Sequence, residues 1–61
     1  MKEKNLSKDQ AVYYEKLNDG RYRIEIHDFC QLICFRDVVT NNEFNDIING
    51  SWNPLNGYIG E

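Results

Sequence analysis

From Arg21 to His27 the chain alternates strictly: Tyr22, Ile24 and Ile26 are apolar, while Arg21, Arg23, Glu25 and His27 are polar or charged. A period of two is that of a strand with one face toward a core and the other toward water. The preceding run, Ala11 to Leu17, contains the β-prone neighbours Val12, Tyr13 and Tyr14, and Asn18-Asp19-Gly20 separates the two stretches. The pattern predicts a β-hairpin with strands over residues 11–17 and 21–28. A two-residue Asp19-Gly20 loop would put Glu15 on the face carrying Ile24. A loop of Asn18, Asp19 and a left-handed Gly20 instead aligns Val12 with Ile26 and Tyr14 with Ile24. This second register is preferred; it also sets Glu15 opposite Arg23 on the wet face. The same region admits a helical alternative over residues 8–18, because Ser7-Lys8-Asp9-Gln10 fits a capping box and Tyr13 and Leu17 stand four apart. The strand is favoured because it gives Gly20 a place in the turn.

Phe29-Cys30-Gln31-Leu32-Ile33-Cys34-Phe35 is apolar almost throughout and predicts a third strand over residues 31–37. Leu32 and Cys34 would point one way and Ile33 and Phe35 the other, so both faces would need cover. Further on, Thr40 and Glu43 fit a capping box, with Val39 and Phe44 placed for a hydrophobic staple. Phe44, Ile47 and Ile48 form a short helical stripe, and Gly50 supplies a stop, which predicts a helix over residues 41–49. Met1 to Asn5 are polar after the methionine and are expected to fray, giving a flexible N-terminus over residues 1–6. Residues 51–61 read as a coil tail rich in large apolar side chains, Trp52, Leu55, Tyr58 and Ile59.

The expected fold is therefore α+β: a small three-stranded antiparallel sheet, a hairpin plus a third strand, followed by one C-terminal α-helix (βββα) and an aromatic tail, all in a single domain over residues 1–61. A chain of 61 residues buries only about 60% of the surface it exposes when unfolded, and one helix cannot cover both sides of a doubly apolar strand. A partner is expected on these grounds. The formal charge of −3 argues against nucleic acid as that partner. No long apolar run, secretory leader or lipidation signal is present, which predicts a cytoplasmic chain with no membrane contact.

His27, Cys30 and Cys34 are the residue types that hold zinc, but a closed site needs a fourth ligand, for which Asp28 or Asp37 would have to serve, and no C-x2-C pair is present. Packing as free, buried, apolar cysteines is the preferred reading. A Cys30–Cys34 disulfide is excluded on a strand, where residues four apart are separated by roughly 13 Å. No Gly-rich nucleophile turn, phosphate loop or dinucleotide fingerprint is found, so neither an enzyme nor a cofactor is expected. What remains is a small acidic non-enzymatic protein-binding module, an inhibitor or adaptor, that docks on a larger protein or on itself as a homodimer. Trp52, Tyr58, Ile59 and Tyr13 are its expected anchors, because aromatic side chains dominate interface energetics. Two alternatives are an acidic nucleic-acid mimic that inhibits a DNA-handling enzyme and a zinc module built on His27, Cys30 and Cys34.

Overall fold

The computed structural model describes residues 1–55. It is an α+β fold of four antiparallel strands and one helix, β1 (Lys2–Ser7), β2 (Gln10–Lys16), β3 (Tyr22–Asp28), β4 (Ile33–Val39) and α1 (Asn41–Asn49). Each strand pairs with its neighbour in sequence, in the order β1-β2-β3-β4.

The central hairpin has the three-residue-loop register. Val12 pairs with Ile26, Tyr14 with Ile24 and Glu15 with Arg23, and Gly20 takes a left-handed φ of 90°. Leu17 and Arg21 close the loop with a backbone hydrogen bond of 2.8 Å. The Arg23 guanidinium donates to Glu15 across the wet face. No helix forms over residues 8–18, because Gln10 to Lys16 are hydrogen-bonded as strand.

The expectation of three strands is corrected by β1. Lys2, Glu3, Lys4 and Asn5 pair with Tyr14, Tyr13, Val12 and Ala11, so the N-terminal stretch forms an edge strand. Its side chains give little burial, and what holds it is a backbone ladder; exposed lysines on an edge also discourage further strand addition. The third predicted strand is displaced as well. Phe29 to Leu32 form a turn, and β4 begins at Ile33 and runs to Val39. The doubly apolar ribbon is thus half turn, and in β4 itself only Ile33, Phe35 and Val39 contribute to the core side.

One sheet face carries the core. Val12, Ile24, Ile26 and Val39 are buried together with Phe44 and Ile47 of α1 and with Leu55. Phe44 stacks on Tyr22 with ring centroids 3.9 Å apart and meets Tyr14 at 4.9 Å. The helix begins as its sequence predicts: Thr40 Oγ1 accepts from the Glu43 amide at 3.1 Å, and Glu43 Oε1 accepts from the Thr40 amide at 2.9 Å. It ends at Gly50, left-handed with φ 83°. Beyond it, Asn53 donates from Nδ2 to Gln10 Oε1 at 2.8 Å and accepts from the Leu55 amide at 2.9 Å, which delivers Leu55 to the core. No described helix is long and apolar enough to cross a membrane.

Candidate functional site

With α1 on one face, the other face of the sheet is left without a covering element among the described residues. Strand alternation and register place Tyr13, Glu25, His27, Cys34 and Arg36 on it. The β3–β4 turn at its end sets their alignment. Asp28, buried at the end of β3, accepts from the Cys30 amide at 3.0 Å, the Gln31 amide at 2.8 Å and Gln10 Nε2 at 2.8 Å. These bonds hold its carboxyl below the ordinary range, Gln10 contributing most, against the opposing effect of burial. The turn so anchored brings His27 directly opposite Cys34 and Glu25 opposite Arg36.

The result is a compact polar cluster. His27 Nε2 lies 3.0 Å from Glu25 Oε1 and 3.7 Å from Cys34 Sγ. Arg36 Nε reaches the second Glu25 oxygen at 3.4 Å. The Glu25 carboxyl is held below its ordinary value by the hydrogen bond to His27 first and by the charges of Arg36 and His27 after it. Aromatic rings flank the imidazole: Tyr13 is tilted against it with centroids 5.2 Å apart, and Phe29 stacks at 6.2 Å. The ring is thereby walled on the sheet while its Nε2 edge stays turned toward the carboxylate and the thiol.

Beside this cluster the β3–β4 turn exposes large apolar side chains. Phe29 is 55% exposed and Leu32 is 89% exposed. Leu32 has a φ of 57°, the left-handed region that a side chain with a Cβ rarely adopts.

The residues expected to bind a partner are dispersed. Tyr13 is half-buried on the open face against His27. Trp52, 40% exposed, lines a cleft on the helix side with Leu6, Ile47 and Ile48. Tyr58 and Ile59 lie outside the described residues. Both cysteines are free and exposed, which corrects the reading of them as buried apolar side chains. The β4 register turns Cys34 to the open face, and Cys30 sits in the turn.

The expected His27, Cys30, Cys34 set is also reassembled. Among the described residues the group whose ligand atoms converge is Glu25, His27 and Cys34, all within 4.8 Å of one another. Sequence reading passed over Glu25, although Glu-x-His on a strand with one wet face puts both side chains on that face. No family model, curated protein or solved structure matches the chain.

Proposed function

We propose that this chain is a non-enzymatic protein-binding module that associates with a second copy of itself through the β3–β4 turn and the adjoining open sheet face. The observation that carries the reading is Leu32. Its left-handed backbone is unfavourable by about 1–2 kcal/mol for a residue with a Cβ, and its apolar side chain stands almost wholly in water. Glycine would relieve both, and a contact outside the chain would give the side chain at this position a use. Phe29 and Tyr13 extend the apolar surface from the turn along the sheet. Arg23 with Glu15 and Arg36 with Glu25 pair within the chain, so the face carries no net repulsion against a second copy of itself. Trp52, on the helix side, offers a separate anchor for a larger partner. The pairing of Glu15 and Glu25 with arginines interrupts any acidic stripe on this face, so mimicry of a phosphate backbone is not favoured.

Leu32→Gly separates folding from association. The variant is expected to be more stable to urea, by about 1 kcal/mol from relief of the backbone, yet to dissociate at higher concentration in sedimentation equilibrium. A wild-type chain that remains monomeric at millimolar concentration overturns the reading.

A further inference from the structure

We infer that Glu25, His27 and Cys34 form a binding site for one zinc ion on the open face of the sheet, with three protein ligands and a fourth position open to solvent. The inference does not rest on self-association but shares its face, so the fourth position is open to solvent in the single chain. Zinc bound to a thiolate at about 2.3 Å and to an imidazole at about 2.05 Å in a tetrahedron separates sulfur and nitrogen by about 3.6 Å. Cys34 Sγ and His27 Nε2 already stand 3.7 Å apart. The same nitrogen is 3.0 Å from Glu25 Oε1, a few tenths of an ångström inside the roughly 3.4 Å that two ligands of this kind adopt on zinc. The Glu25 carboxylate and Cys34 Sγ lie within 4.8 Å of each other, against roughly 3.6 Å for such a pair on zinc, so binding swings the partly exposed Glu25 side chain away from the imidazole and toward the sulfur.

The scaffold suits such a site. Glu25 and His27 are two residues apart on β3, and Cys34 is the cross-strand partner of His27, so all three ligands come from a paired ladder. Arg36 fixes the outer oxygen of Glu25 and leaves Oε1 for the metal. Tyr13 and Phe29 flank the imidazole and limit its rotation. One thiolate, one carboxylate and one neutral imidazole balance a divalent ion, and a thiolate–imidazole pair favours zinc over magnesium or calcium, which prefer oxygen ligands. On binding, the sulfur–proton bond of Cys34 is replaced by a sulfur–zinc bond and the Nε2–H that His27 turns to Glu25 by a nitrogen–zinc bond, the neutral imidazole keeping its proton on Nδ1; the protons released pass to buffer without any change of oxidation state.

The test is titration of the reduced full-length chain with Co2+, followed by competition with Zn2+. Wild-type protein is expected to develop a thiolate-to-cobalt charge-transfer band and tetrahedral ligand-field bands that saturate at one metal per chain and are bleached by zinc. Cys34→Ser should abolish the charge-transfer band, and His27→Gln and Glu25→Gln should each weaken cobalt binding by about tenfold or more. Cys30→Ser should bind as wild type, with far-ultraviolet circular dichroism confirming that each variant is folded. Absence of a charge-transfer band in wild type, its loss in Cys30→Ser, its persistence in Cys34→Ser, or saturation at one metal per two chains would each overturn the site.

Discussion

Asp28 shows how much one side chain decides here. Its carboxylate joins β2 to β3 through Gln10 and shapes the β3–β4 turn through two backbone amides. A carboxyl held below its ordinary value in the folded state contributes stability that is present in full above about pH 4. That contribution is lost as pH falls through the lowered value, because the unfolded chain then binds the proton more readily. Asp28→Asn is therefore expected to lower the melting temperature at pH 7 and to flatten its decline on acidification, measured by circular dichroism between neutral pH and about pH 2. A variant whose acid limb runs parallel to that of wild type would show that other carboxyl groups govern it. The same aspartate stood in the sequence as a candidate fourth zinc ligand, which gave no sign of a turn, whereas a side chain that can accept from the amides two and three residues on marks a turn without glycine or proline.

At the scale of elements, what was legible rested on chemistry within a few residues. The loop Asn18-Asp19-Gly20 and the Thr40–Glu43 box each specify their geometry locally, and both the register of the central hairpin and the start of α1 follow. Removing the cap with Thr40→Ala is expected to cost about 1 kcal/mol in urea unfolding, with the slope of the transition unchanged. A loss near zero would mean that Phe44 and Ile47 alone hold the helix against the sheet. β1 was not legible because nothing in Lys2-Glu3-Lys4-Asn5 needs burial; its pairing uses the backbone, which every sequence shares. The polar cluster was half legible. His27 and Cys34 stood out by residue type, but choosing Glu25 over Cys30 required the β3–β4 register, which a four-residue turn sets and an apolar run conceals.

At the scale of the molecule, the described residues form one helix and one sheet in two layers around a core that is extended by Leu55 and tethered by the chain from Asn53 through Gln10 to Asp28. Among the described residues the layering leaves one sheet face without a covering element, and there stand the Glu25–His27–Cys34 cluster, Tyr13 and, at its end, the exposed turn. The proposed association and the proposed zinc site thus draw on the same face, sharing Glu25, Arg36, Tyr13 and Phe29, but they fail by different measurements.

The neighbour-by-neighbour order of the strands also bears on how fast the chain reaches its native state. Each ladder can zip onto the one before it, with no long loop to close first, so the entropic barrier to the sheet is small. The main refolding phase after a stopped-flow jump out of denaturant should be over within milliseconds. A meander of this kind gains speed from its simplicity, and a phase lasting seconds whose rate rises with protein concentration would point to assembly between chains as the slow step, since isomerisation at Pro54 does not depend on concentration.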